Sequence, residues 1–312
     1  METFLIILAV IIAVFLIVFA VIAFVSKKFF GRGVEYDAEY ALRNEPELLS
    51  KVVSGKQKIS EYTPEEVSIK SDDGLTLYGL LYKSKSQTDT TVICFHGYHS
   101  NLKNDFCTVI GYFVSIGFNV LTVSQRCHGK SEGKCLTFGI KEKYDCLRWC
   151  EYVRSRFGEN SKIILNGVSM GAATVTMASD KSVGLPENVK LIIADCGYSS
   201  PWEIICDVAK KNYHITKFPV IYLLRAVTKL IYGFDIKDGS SVEAVKNTDI
   251  PIFFAHGKAD DFVPYYMGVK ISNACVSKHE LFSVENAGHG LAFMVDTDGY
   301  KKSLEEFIKE NI

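Results

Sequence analysis

Residues Ile163–Met177 read IILNGVSMGAATVTM. An apolar run, Ile163–Leu165, meets Gly-Val-Ser-Met-Gly, and a small-residue helical pattern follows directly. Gly167-x-Ser169-x-Gly171 between a strand and a helix is the pattern of a nucleophile elbow. A strand that turns at once into a helix holds its central residue in a strained conformation with Oγ exposed. The flanking positions must lack side chains so that helix and strands can approach. The helix N-terminus then aims free N–H groups and the positive end of its dipole at a developing oxyanion. A five-residue pattern also recurs by chance as a glycine-rich turn before a helix, so the rest of the chain has to decide.

Composition narrows the field. The 312 residues carry 35 basic and 36 acidic side chains, a net charge of −1 that marks no nucleic-acid surface. Nine scattered cysteines, with no CxxC pair, argue against a disulfide framework and for a reducing compartment. Their spacing offers no zinc site, and neither a metal nor a cofactor is expected. Phe4–Val25 is almost wholly Leu, Ile, Val, Phe and Ala, and no charge falls between Thr3 and Ser26. As a helix those residues span about 33 Å, enough to cross a hydrocarbon core. A secretory signal peptide would want a basic n-region and a shorter apolar core. Here Glu2 precedes the run, and Lys27, Lys28 and Arg32 follow it. That asymmetry predicts a single-pass membrane anchor, bilayer contact through residues 4–25 and a cytoplasmic C-terminal side.

The expected domains are an anchor (1–33), a juxtamembrane helix and linker with no visible chemistry (34–64), and a globular domain (65–312). Val67–Lys70 and Leu75–Tyr82 flank Asp72-Asp73-Gly74, a hairpin signal. Strands are expected at Thr91–Phe95, Asn119–Val123, Lys162–Asn166, Val189–Asp195, Pro251–His256 and His279–Val284. Helices are expected at Asp105–Ile116, Ile140–Arg156, Met170–Ala178, Tyr265–Ala274 and Thr297–Asn311. Such alternation means an α/β fold with a doubly wound, mostly parallel sheet. It breaks over about 197–245, a helical insertion rich in aromatics, including Trp202, Tyr213, Phe218 and Tyr222. That insertion is expected to cap a pocket at the C-terminal strand ends.

A serine hydroxyl needs a base to take its proton and a carboxylate to orient that base. Three loops after predicted strands supply candidates in order: Ser169, Asp260 and His289. Asp261 is an alternative acid, one residue on and so facing elsewhere. His96 and His256 also follow strands, but each precedes a glycine at a strand end and reads as a core or supporting residue.

Together, His96-Gly97, Gln125-Arg126-x-His128-Gly129-x-Ser131, the elbow, His256-Gly257-x-x-Asp260-x-x-Val263-Pro264 and Gly288-His289-Gly290 resemble the α/β-hydrolases. The branch is the one that includes bacterial prolyl-oligopeptidase-like and lysophospholipase-like serine hydrolases, and the match runs from about Glu65 to the C-terminus. The resemblance implies an α/β-hydrolase fold with a cap, and it favours Asp260 through its spacing to Val263-Pro264. An oxyanion hole is then expected from the N–H groups of Met170 and Tyr98, the latter in the loop after the early strand. Ser124 departs from the pattern, since an aspartate usually stands there, and local loop bonding should differ. The expectation is a membrane-anchored serine hydrolase cleaving a carboxylic, acyl or lipid-like ester through an acyl-enzyme. The rivals are a serine peptidase of the prolyl-oligopeptidase-like type, which here lacks a propeller, and a non-catalytic binding protein on the same fold. Ser169 at the elbow excludes a carboxylate nucleophile.

Overall fold

The computed structural model describes residues 1–312. Helix α1, Glu2–Phe30, is exposed along residues 2–18 and begins to pack against protein only near its C-terminal end. Two helices follow, α2 (Ala38–Ala41) and α3 (Pro46–Ser60). The hairpin predicted around Asp72-Asp73-Gly74 is formed by β1 (Glu65–Lys70) and β2 (Thr76–Tyr82), paired antiparallel. Next come β3 (Thr90–Phe95), α4 (Leu102–Ser115), β4 (Asn119–Val123), α5 (Glu142–Phe157), β5 (Lys162–Val168), α6 (Met170–Ala178) and β6 (Val189–Asp195). The insertion contributes α7 (Pro201–Tyr213), a π-helical turn at Lys217–Ile221, α8 (Tyr222–Tyr232) and α9 (Ser241–Val245). The chain closes with β7 (Ile252–Gly257), α10 (Tyr265–Ala274), β8 (His279–Val284), α11 (Ala292–Val295) and α12 (Thr297–Asn311).

The eight strands form one sheet in the order β1-β2-β4-β3-β5-β6-β7-β8. Only β1–β2 and β2–β4 are antiparallel, so the sheet from β4 to β8 is parallel throughout. Period-two alternation divides the core. Val92 and Cys94 of β3 face a cluster built with α3, α4 and α12, whereas Ile93 and Phe95 face one built with α5, α6 and α10. Both faces are therefore covered, as the parallel β4–β8 portion, with its Val, Ile and Leu runs, requires.

Boundaries differ from the sequence expectation where polar side chains decide them. Helix α4 starts at Leu102 because Asn101 Oδ1 accepts the N–H groups of Lys103 and Asn104 at 2.9 Å each. Helix α5 starts at Glu142, whose buried carboxylate binds the preceding turn through Thr137 N–H (2.7 Å) and Gly139 N–H (2.9 Å).

Two expectations about organisation change more. The 34–64 segment is more than a connector: Val52 and Ile59 are buried in the cluster with α4. Gly55 lies so close to α4 that a Cβ would come within 2.8 Å of the Cys107 carbonyl. The insertion also divides. Helix α9 packs on α6 and α10 and belongs to the α/β unit, leaving α7, the π-turn and α8 as the excursion. These build a third cluster with Phe30, Phe138, Met170 and Met177.

Candidate active site

Two glycines make the turn between β5 and α6 possible. A Cβ on Gly167 would come within 2.3 Å of the Gly171 backbone, and one on Gly171 within 1.8 Å of the Phe95 carbonyl. Between them Ser169 adopts φ 56° and ψ −115°, a region that non-glycine residues occupy at a cost of about 1–3 kcal/mol. Its N–H donates to the Asp195 carbonyl at 2.9 Å, tying the turn to the end of β6.

The loops after β7 and β8 bring the two other candidates to this turn. His289 Nε2 lies 2.8 Å from Ser169 Oγ, and His289 Nδ1 lies 2.7 Å from Asp260 Oδ2. With a carboxylate on Nδ1, that nitrogen carries the proton and Nε2 is left to accept from the serine. Asp260 is fixed in turn, its Oδ1 accepting the N–H groups of Phe262 (2.9 Å) and Val263 (2.8 Å). Burial alone would raise its pKa, but hydrogen bonds from His256 and His289 hold it well below the usual carboxylate range. Asp261, the alternative acid, points to solvent with its side chain 97% exposed and pairs with Lys211 at 2.8 Å.

His256 is buried beside Asp260, donating from Nε2 to the Val263 carbonyl at 2.9 Å and lying 3.4 Å from Asp260 Oδ2. His96 supports the loop after β3. Its Nε2 accepts Gln125 N–H at 3.1 Å, and its carbonyl accepts from the Gln125 side-chain amide at 2.5 Å. Burial pushes His96 down to about 3, which keeps Nε2 a free acceptor near neutral pH. Both histidines have supporting positions.

The same loop carries Tyr98. Asp105 Oδ2 accepts the Gly97 N–H at 2.6 Å, and Oδ1 accepts the Ser100 hydroxyl at 2.5 Å, so one half-buried carboxylate pins the loop at both ends. Met170 opens α6, among the first-turn amides that have no acceptor inside a helix. At the unusual Ser124 the loop is closed through backbone groups. Ser124 N–H donates to the Tyr78 carbonyl (2.8 Å), and the Ser131 hydroxyl donates to the Ser124 carbonyl (2.6 Å). Arg126 anchors the next turn with a bidentate pair to buried Asp145, 2.7 Å for each bond, and a third bond to Asp73 at 2.9 Å.

Ser169 and His289 open into a cavity of about 520 Å³. Its walls are mostly apolar and include Leu42, Val52, Phe106, Phe113, Phe293 and Leu304. No residue of 197–245 lines it, so the expected cap over this cavity is replaced by α2, α3 and α4. The aromatics of the insertion lie elsewhere: Phe234 is buried 5.6 Å from Phe30 ring to ring, whereas Tyr213, Phe218 and Tyr222 are exposed. Two carboxylates on the cavity wall had no sequence signal beyond a strand end and a helix start. Asp105 is one; Asp195, with Oδ1 buried and unpartnered, is the other. The wall from α3 did have a signal, since Leu48, Leu49, Val52 and Ile59 fall on one helical face.

Residues 90–217 match a family model described as the alpha/beta hydrolase fold. Among curated proteins, an uncharacterized Bacillus subtilis protein, YqkD, is 25% identical over 221 residues, covering 71% of this chain and 72% of that one. The Schizosaccharomyces pombe protein bem46 is 24% identical, covering 79% and 77%. Among solved structures, the Pyrococcus furiosus esterase Pf2001 superposes with a TM-score of 0.65 at 24% identity, over 81% of this chain and 95% of that one. The Pyrococcus horikoshii acylaminoacyl peptidase gives 0.57 at 17% identity, over 79% and 41%. With its eight-stranded, mostly parallel sheet and the strand–serine–helix turn, the chain has the α/β-hydrolase fold.

Proposed function

We propose that this chain is a membrane-anchored serine hydrolase that cleaves carboxylic esters of acyl or lipid-like character. The observation that carries the reading is the continuous run Ser169 Oγ–His289–Asp260, at 2.8 and 2.7 Å, opening on the cavity. In the proposed reaction His289 Nε2 takes the Ser169 proton as Oγ attacks the ester carbonyl. The oxyanion that forms is received by the N–H groups of Met170 and Tyr98. His289 then returns the proton to the departing alcohol, leaving an acyl-Ser169 ester. A water molecule, deprotonated by His289, attacks that ester, and the proton passes back to Ser169 as the acid leaves. Asp260 keeps the imidazole in the required tautomer and stabilises its protonated form.

The apolar walls of the cavity favour an acyl chain over a peptide backbone, whose N–H and C=O groups would be buried there without partners. The solved neighbours include both an esterase and a peptidase, and the walls favour the first. Anchoring is supported by the length of α1 and by its attachment to the fold. Phe30 is fully buried, its carbonyl accepts Leu136 N–H at 2.8 Å, and Arg32 bonds the carbonyls of Gly129 and Ser131 at 2.6 Å each. Lys27, Lys28 and Arg32 after the apolar run favour a cytoplasmic catalytic domain.

A chain-length series of p-nitrophenyl esters tests the substrate class. Esters of medium or long acyl chains are expected to exceed acetyl esters in kcat/KM. Equal or better turnover of acetyl esters would contradict the acyl-chain reading.

A further inference from the structure

Helix α8 lies along the C-terminal part of α1. Phe30 of α1 meets Tyr232 and Phe234 in one aromatic group, and Ile22 and Phe29 join the same apolar cluster. The contact reaches further back. Phe19, Ile22 and Ala23 are half-buried, and Ser26 is fully buried. Phe19 and Ile22 belong to the apolar stretch that ends at Val25, about 9 and 5 Å inside it at 1.5 Å per residue. A helix packed against them therefore sits at the depth where headgroups give way to acyl chains.

The side of the insertion turned away from protein has the matching chemistry. Leu230 is 74% exposed and Phe218 76%, with Tyr222, Leu223 and Ile231 also exposed beside them. The inward side of α8 is filled by Leu224, Val227 and Thr228. Helix α8 is thus apolar inward toward protein and largely apolar outward, with Lys217 and Lys229 exposed at its margins. Interfacial helices bury an apolar face about 5–10 Å into the headgroup boundary and place cations among anionic lipids.

We propose that the surface from Phe218 to Ile231 docks on the bilayer, in the same leaflet from which α1 emerges. The catalytic unit would then rest on the membrane at two joined points, α1 and α8. This proposal rests on reading α1 as a membrane span. The lipid surface is chosen as occupant because the patch is continuous with α1 at a fixed depth.

Depth-dependent quenching tests it. Full-length protein would be placed, one chain per nanodisc, in bilayers of ordinary or 6,7-dibrominated phosphatidylcholine with anionic phosphatidylglycerol. Tryptophan is introduced singly as Leu230→Trp, as Leu16→Trp in α1, and as Val276→Trp at the opposite edge of the sheet. The added fluorescence of Leu230→Trp is expected to be quenched by brominated lipid to within about twofold of Leu16→Trp, with Val276→Trp unchanged. Quenching of Leu16→Trp without Leu230→Trp would overturn the docking surface and leave the span intact. Quenching of neither would overturn both. Quenching of Leu230→Trp and Val276→Trp alike would show non-specific adsorption and also overturn the proposal.

Discussion

The Tyr98 hydroxyl donates to the carbonyl of Phe29 at 2.9 Å, joining the loop that carries the proposed oxyanion donor to the end of the apolar helix. The two rings lie 5.7 Å apart, and Tyr98 also stacks on Phe138 at 5.4 Å. Tyr98→Phe removes that one neutral hydrogen bond and leaves the backbone N–H in place. A bond of this kind contributes about 0.5–1.5 kcal/mol, so kcat on a soluble ester should stay within about tenfold of the parent. A loss of about 10²- to 10³-fold, the size of a missing oxyanion donor, would assign the role to the hydroxyl instead.

Asp260 and Asp261 are adjacent in sequence and opposite in environment. Asp260→Asn should lower kcat by about 10⁴-fold, because the amide no longer holds the imidazole with its proton on Nδ1. Asp261→Asn breaks only an exposed pair with Lys211 and should leave kcat within about twofold. Steady-state kinetics on the two variants, side by side, decide the acid.

On the proposed reading, the cavity wall puts acyl-chain selection in the segment that follows α1. Leu42→Trp fills space at the end of α2 and should block two or three methylene positions. At about 0.8 kcal/mol per methylene, kcat/KM for a long-chain ester should fall about 15- to 60-fold, with the acetyl ester little changed. Trp202→Ala, in the insertion, should leave the chain-length profile alone. A profile that follows Trp202 and ignores Leu42 would return selection to the insertion.

Burial pushes Asp195 up to about 7, despite the nearby histidines His256 and His289 that favour its ionised form. The folded state thus binds this proton more tightly than the unfolded chain, whose aspartates titrate near 4. Stability is fully present below about pH 4, declines as pH rises toward 7, and is level above that. Asp195→Asn should remove this decline, so that its Tm exceeds the parent's by more at pH 8 than at pH 4. Thermal unfolding in detergent at several pH values reads it, and parallel Tm curves for the two proteins would refute the assignment.

How much of this was legible beforehand depended on whether a feature is local. The parallel core could be read because each strand is a short apolar run that gives way to a polar or glycine-containing loop, as in Thr91–Phe95 before His96-Gly97. Ser169, Asp260 and His289 were legible because chain order and strand ends place them together whatever the loops do. The cavity wall was not, since Val52 is buried in a cluster with Phe106 and Cys107 of α4, more than fifty residues away in sequence. Periodicity shows that a helix has an apolar face but not what covers it. The aromatics of the insertion illustrate the same limit, because the face expected over the pocket is buried partly against the end of α1. Asp105 and Asp195 read as ordinary polar ends of elements, and only the folded sheet makes them walls of the site.

The central claim is that Ser169 is the nucleophile. It is tested most directly by treating the full-length protein and its Ser169→Ala variant, both folded in detergent, with a fluorophosphonate probe. The account predicts covalent labelling of the parent at Ser169, located by peptide mass spectrometry, and none of the variant. An unlabelled parent, or labelling that survives in Ser169→Ala, would contradict it.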